Sequence, residues 1–143
     1  MKQEIIPSGR GQGYDWSKDH IIVKTPEYLT GGRVTLVEDT LKPGFHLPRH
    51  YHQKMTEVFY ILEGEVEFKF DDETILTRAG MTLNIPPNNW HEVRCPQGAR
   101  LLTLFTPGGF DLYLAELARL SDAEFADSSL MTALAEKYDT WMR

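Results

Sequence analysis

The chain has 143 residues, of which 41% are hydrophobic, so it is long enough for one domain with a substantial apolar core. Lys plus Arg number 15 and Asp plus Glu number 21, and this net charge of −6 without a basic cluster argues against nucleic acid as a partner. The sequence has no apolar run near the ~20 residues of a membrane span, no apolar signal-peptide core and one cysteine, which together predict a cytoplasmic protein.

The first 20 residues are polar and glycine-rich, which favours a loosely ordered N-terminal arm. Tyr14 and Trp16 are the residues by which this arm would contact a partner subunit. Residues 21–110 instead show short alternating runs separated by turn-forming residues, which is typical of β-strands. The first predicted strands are 21–24 and 33–41, with turns at 30–32 and 42–44.

Segment 43–64 places His50 and His52 two residues apart and Glu57 five residues later. In an extended strand, the side chains of residues i and i+2 point to one face, so the two histidines are expected to project together. Gln53 and Lys54 suit a turn, after which Glu57 begins a second strand and brings its carboxylate toward the imidazoles. This ligand set suits a divalent transition metal ion, namely iron, manganese, cobalt, nickel, copper or zinc.

A second segment offers a fourth ligand. It follows predicted strands at 65–70 and 74–77, and its own turn at 86–89 leads into a strand over 91–95. Alternation places His91, Val93 and Cys95 on one face of that strand. If this face is internal, His91 reaches the same interior as the first three candidate ligands.

The sequence period changes after a last predicted strand at 100–106. Apolar residues at three- and four-residue spacings predict an amphipathic helix over 111–120. Ser121 and Glu124 form a capping-box pattern, and one or two further helices are predicted over 125–141. We expect these helices to cover the outside of a barrel or an open strand edge. The chain is therefore predicted to be a single all-β domain over 1–143, an antiparallel β-barrel or jelly roll with a C-terminal helical segment over 111–143.

The two histidine-containing segments resemble the two motifs of the cupin superfamily. The residues that fill these motifs are Gly44, His50, His52, Glu57 and Gly64, followed by Gly80, Pro86, His91 and position 95. Asn88 replaces the usual turn glycine and tolerates a left-handed backbone, whereas Cys95 replaces the usual asparagine. The resemblance covers about residues 31–117 and is greatest to small quercetinase-type cupins, which implies a small barrel that holds its metal inside.

The predicted metal ligands are His50, His52, Glu57 and His91. Three neutral imidazoles and one carboxylate around a divalent ion give a net charge of about +1, which attracts an enolate or phenolate oxygen. Resemblance to quercetinases also implies that Glu57 is catalytic and takes the proton of the substrate hydroxyl. The expected function is therefore metal-dependent dioxygenase action on a small enolic or phenolic, flavonol-like compound.

Two alternatives stay open at this stage. One is an isomerase or lyase that uses the metal as a Lewis acid on a carbonyl or enolate. The other is a non-catalytic domain that binds a small molecule. In each case we expect a small-molecule partner, no nucleic acid and no membrane. Small cupins resemble one another in pairing as dimers, and exposed strand edges are usually covered, so a homodimer is also expected.

Four apolar residues share a strand face with a predicted ligand and are therefore candidate pocket walls, with plain barrel packing as the alternative: Phe59, Ile61, Val93 and Cys95. Cys95 is expected to behave as a small hydrophobic residue rather than as a nucleophile. Trp90 would shield the site or lie at a subunit contact, and His46 is interpreted as a structural or rim residue.

Overall fold

The computed structural model describes residues 2–142, which form an antiparallel β-barrel of the jelly-roll type followed by small helices. The strands are β1 (Gln12–Asp15), β2 (Asp19–Thr25), β3 (Thr35–Leu41), β4 (Phe45–Tyr51), β5 (Thr56–Lys69), β6 (Thr74–Arg78), β7 (Thr82–Ile85), β8 (His91–Cys95), β9 (Ala99–Thr106) and β10 (Trp141–Met142). The helices are α1 (Phe110–Leu117), α2 (Asp122–Phe125) and α3 (Ser128–Lys137), and a 3-10 helix spans Glu27–Thr30. The all-β architecture and the C-terminal helices predicted from the sequence are confirmed.

Strand β5 links the two halves of the barrel. The strands run in the order β1-β2-β3-β9-β5-β8-β4-β10, and β6 and β7 also pair with β5. The first part of β5 pairs with β7 and β9, and its last part pairs with β6 and β8. Because β5 has 14 residues, it can serve both halves, and it carries Glu57 near its start.

The interior is filled by the side chains of alternate strand residues, as a barrel requires. One buried cluster includes Phe59, Ile61, Phe68 and Val93, and a second includes Val37 and Phe105 with Leu114 of α1. In the three central strands β3, β9 and β5, the residues that alternate with the buried ones point outward. Leu114 of helix α1 belongs to the second buried cluster, whereas the sequence predicted helices that cover either the outside of the barrel or an open strand edge.

The N-terminal segment differs from the expected loosely ordered arm. Residues 12–15 form β1, which pairs antiparallel with β2 along its whole length. Tyr14 and Trp16 stack at 5.5 Å between ring centroids and pack against the second core cluster of their own chain. The sequence did not reveal this strand because its glycine and polar residues are poor strand formers, and pairing with β2 overrides that preference.

The C-terminal segment also differs in its last residues. The capping box of Ser121 and Glu124 is present, and Asp127 caps α3 by accepting from two backbone N–H groups. After α3, however, Trp141 and Met142 form β10, which pairs with Tyr51 and His50 of β4. Residues 141–142 thus lie directly beside the strand that carries His50. No helix among residues 2–142 is both long enough and apolar enough to cross a bilayer.

Candidate metal centre

The four predicted ligands come together in the structure. His50 lies near the end of β4, His52 follows that strand, Glu57 lies on β5, and His91 begins β8. Strands β4 and β8 pair so that His50 stands opposite His91. Each residue contributes one potential ligand atom, and these atoms all lie within 4.8 Å of one another. All four side chains are buried, so the cluster lies inside the barrel.

Each histidine is oriented by a backbone carbonyl. The Nδ1 atoms of His50, His52 and His91 lie 2.8, 2.8 and 2.9 Å from the carbonyl oxygens of Pro48, Asp139 and Asn89, respectively. An imidazole that donates from Nδ1 has its lone pair on Nε2. The three rings can therefore present Nε2 to the interior, which is the arrangement seen around metal ions held by histidine.

Glu57 supplies the one negative charge of the cluster. Its Oε2 atom lies 3.1 Å from His52 Nε2 and 3.3 Å from His91 Nε2. Burial alone would raise the pKa of Glu57, but the contacts with these two imidazoles hold it below its ordinary value. Burial would likewise lower the pKa of His52, yet the Glu57 carboxylate raises it. Burial lowers the pKa of His50 to about 4, so this imidazole is neutral near pH 7.

These residues fit a transition metal ion. The buried Nε2 atom of His91 has no hydrogen-bond partner among the described residues. Burying an unpaired nitrogen costs free energy, and the lone pair of this atom points into the cluster, where it is available to bind a metal ion. Three imidazoles and one carboxylate suit iron, manganese, cobalt, nickel, copper or zinc, whereas magnesium and calcium prefer oxygen ligands. The cluster is therefore able to hold a divalent metal ion, and its donor set does not choose among these six metals.

Asp139 is a residue of the site region that the sequence did not reveal. Its backbone carbonyl holds His52 Nδ1, and its carboxylate accepts from the backbone N–H groups of Gln53, Lys54 and Met55 at 2.8–2.9 Å. Asp139 has a left-handed backbone, with φ at 56°, which aspartate tolerates better than most residues. The residue thereby joins the chain end to the turn that separates His52 from Glu57. No local pattern links positions 53 and 139, so only the tertiary fold shows this contact.

A cavity of about 410 Å³ opens beside the ligands. His50, His52 and Glu57 reach its wall, and most of the remaining lining is apolar and comes from β2, β3, β9 and the helices. Of the predicted pocket walls, Phe59 and Val93 line this cavity, whereas Ile61 and Cys95 are packed in the core. A volume of this size is typical of small-molecule sites.

The other singled-out side chains lie around the site rather than in it. His46 is exposed at the cavity rim, as expected of a rim residue, and its Nε2 atom lies 2.5 Å from Glu92 Oε2. Trp90 contacts Tyr51 and lies under the Arg49 guanidinium, 4.1 Å from the ring centroid. Cys95 is buried and donates to the Glu65 carbonyl, which agrees with its interpretation as a small core residue.

Comparison with known proteins agrees with this geometry. Residues 37–106, which contain all four candidate ligands, match the family model described as a cupin domain. The chain contains a cupin domain. A solved RmlC-like cupin from Shewanella frigidimarina superposes with a TM-score of 0.67 at 20% identity, covering 78% of this chain and 96% of that one. At this identity the likeness shows the fold alone.

Two curated relatives extend the comparison. Quercetin 2,3-dioxygenase of Bacillus subtilis is 29% identical over 114 residues, which is 79% of this cupin but 34% of the relative. Polyketide synthase CurC of Streptomyces cyaneus is 37% identical over 54 residues, which is 38% of this cupin and 35% of the relative. These matches therefore span only about a third of the length of either relative. The first match shows similarity to a quercetinase, and the reaction of this cupin is left to be proposed.

Proposed function

We propose that this cupin is a metal-dependent dioxygenase that acts on a small enolic or phenolic, flavonol-like compound. The observation that carries the proposal is the buried set of three histidines and one glutamate, of which His50, His52 and Glu57 reach the wall of a largely apolar cavity. The similarity to quercetin 2,3-dioxygenase over most of the chain supports the same reaction class. A cationic centre in an apolar cavity favours a substrate that binds through an ionised oxygen, because water is scarce and charge attraction is strong there.

The residues around the cavity would have different roles in this reaction. His50, His52, Glu57 and His91 would hold the ion, and a divalent metal would supply Lewis acidity and, if redox-active, dioxygen chemistry. Glu57 alone among the four has two oxygen atoms, so one can accept the proton of the substrate hydroxyl while the other remains a ligand. The apolar walls, such as Phe59 and Phe105, exclude water and hold the flat body of an aromatic substrate.

Oxygen consumption tests the proposal. Metal-loaded protein is incubated with a panel of flavonols and enediols in air and under argon, and loss of substrate is followed by absorbance. The proposal expects consumption of oxygen with substrate loss in air and no substrate loss under argon. Substrate turnover at the same rate under argon would exclude the dioxygenase and favour a non-redox reaction.

A non-redox enzyme is the second candidate, and the match to a polyketide synthase favours it. The same centre can polarise a carbonyl or stabilise an enolate without dioxygen, which is the chemistry of an isomerase or lyase. The argon arm of the experiment above separates the two candidates. A non-catalytic binding domain would retain a ligand tightly and turn over none of the panel.

We also propose that the protein forms a homodimer through an apolar outer face of the barrel. The outward residues of β3, β5 and β9 that form this face are Leu36, Val58, Tyr60, Leu62, Leu102 and Leu104. Val58 and Leu36 both stand beside Leu104 in the sheet, and Tyr60 stands beside Leu102, so the face is continuous. A second copy would cover it by the two-fold arrangement that most homodimers use.

A further inference from the structure

Asp39 is an acidic residue in an apolar setting. It lies on β3 between Val37 and Leu41, which belong to the two buried clusters, and it has their inward parity. Leu101 stands opposite it on β9. All of these residues line the cavity beside the metal centre, so the Asp39 carboxyl faces the space that a ligand would occupy.

One oxygen atom of the Asp39 carboxyl has no hydrogen-bond partner among the described residues. This atom, Oδ1, is buried. Buried polar atoms are usually paired, and an unpaired one costs stability, so its presence in a cavity points to a partner outside the chain. Burial raises the pKa of Asp39 well above its ordinary value, and the Asp19 and Glu57 carboxylates raise it further. The neutral form that these effects favour can both donate and accept a hydrogen bond.

The surroundings decide which ligand group would suit Asp39. A cation would lose its hydration among apolar walls and would be repelled by a metal centre of net positive charge. A hydroxyl group loses little on entering the same space if the carboxyl takes over its hydrogen bonds. Hydroxyl groups on an aromatic body also match the apolar lining, which would contact the ring faces.

We propose that Asp39 forms a second polar subsite of the cavity, which binds a substrate hydroxyl other than the one held at the metal donors. The proposal rests on the proposed function for the location of the first oxygen. The preferred ligand is then a flat phenolic compound with at least two separated oxygen groups. Asp39 would determine specificity among such compounds without contacting the metal.

Two probes that share one chelating group test this subsite. Both 3-hydroxyflavone and quercetin carry the same 3-hydroxy-4-keto pair for the metal, and quercetin adds hydroxyl groups elsewhere on its rings. Their dissociation constants for metal-loaded protein are measured by calorimetry for the wild type and for Asp39→Ala, Asp39→Asn and Glu38→Gln. Glu38 is the matched control, because it lies on the same strand and pairs outward with Arg100.

The wild type should bind quercetin about 10-fold more tightly than 3-hydroxyflavone, which is the preference that one well-made hydrogen bond provides. Asp39→Ala should lose this preference, whereas Asp39→Asn, which still donates and accepts, and Glu38→Gln should keep it. A wild type without preference, or an Asp39→Ala variant that retains it, would overturn the proposal.

Metal content and oxygen consumption, measured on the same preparations, keep the two proposals distinct. The Asp39 variants should retain the metal content of the wild type, because Asp39 is not one of the four donors. If Asp39→Ala loses the preference for quercetin while its metal content is unchanged, the subsite is supported even if no oxygen is consumed. A preference retained alongside oxygen consumption would overturn the subsite and leave the dioxygenase standing.

Discussion

The contact between Asp139 and the turn after His52 gives the most specific prediction about the metal centre. Replacing Asp139 by glycine removes the carboxylate that accepts from Gln53, Lys54 and Met55, while glycine retains the left-handed backbone without strain. The Asp139 carbonyl, which orients His52, is then positioned only by its backbone neighbours, namely the pairing of β10 and the hydrogen bonds from residues 139 and 140 to the end of α3. We therefore expect both stability and metal affinity to fall.

The magnitude follows from four lost hydrogen bonds, which are these three and a fourth, 3.2 Å long, that the Trp141 indole N–H donates to the same carboxylate. The bond from the Met55 N–H is partly buried, and a hydrogen bond to a charged acceptor contributes about 1.5 kcal/mol or more in such a setting. The bonds from the Gln53 and Lys54 N–H groups are exposed, so water replaces them and each loss costs roughly 0.5 kcal/mol. The bond from the Trp141 indole is partly buried but long, and its loss also costs about 0.5 kcal/mol. The free energy of unfolding should fall by about 3 kcal/mol. Removing the support of a metal-ligating histidine typically costs roughly 10- to 100-fold in metal affinity.

Urea unfolding and competition with a chromophoric chelator measure these two quantities. Asp127→Ala is the matched control, because the Asp127 carboxylate also accepts from backbone N–H groups but caps α3 through Ser129 and Leu130. Loss of this cap should cost about 1 kcal/mol of stability and leave metal affinity unchanged. If Asp139→Gly is destabilised yet binds metal as tightly as the wild type, the chain end has no role in orienting His52.

Three further predictions concern a glycine, the half-buried Asp39 and the apolar outer face. Gly64→Ala should be more destabilising than Gly80→Ala in urea unfolding. Both glycines have a positive φ, but a methyl group at Gly64 would also lie 2.7 Å from the Gly98 carbonyl oxygen. If both variants lose only the about 1–2 kcal/mol of backbone strain, this close approach is absent. Because the pKa of Asp39 is raised on folding, the wild type loses stability as the pH rises above the ordinary carboxyl value of 3.8. Asp39→Asn should therefore have a higher melting temperature than the wild type at pH 7, and this difference should vanish toward pH 3. An advantage that stays constant with pH would contradict this sign. Leu104→Glu should yield a monomer by light scattering at micromolar concentration, and a wild type that is itself monomeric would disprove the homodimer.

The parts of the structure that follow from local patterns were predictable from the sequence. His50 and His52 share a face because strand residues alternate, and the turn at Asn88 has the left-handed backbone, with φ at 63°, that asparagine tolerates. The convergence of His91 with the first three ligands required only that two motif-bearing hairpins face one interior. Ser121 and Glu124 likewise form their capping box from neighbouring residues.

The parts that depend on distant pairing were not predictable in this way. Strand β1 is short and consists mostly of a glycine and polar residues, and it forms because β2 offers an edge. Strand β10 is two residues long and has no alternating pattern of its own. Asp139 and Asp39 look like ordinary acidic residues in the sequence. Their roles arise from a turn 84–86 residues earlier in the chain for Asp139 and from the apolar walls of the cavity for Asp39.

The central claim is that His50, His52, Glu57 and His91 together bind one transition metal ion. Elemental analysis of the wild type and of His52→Ala, both reloaded with the same divalent metal and desalted, tests it most directly. Circular dichroism of each sample confirms that both are folded. We expect about one ion per chain for the wild type and a large loss for His52→Ala, because the variant lacks one of four donors. Equal metal content in two folded proteins would contradict it.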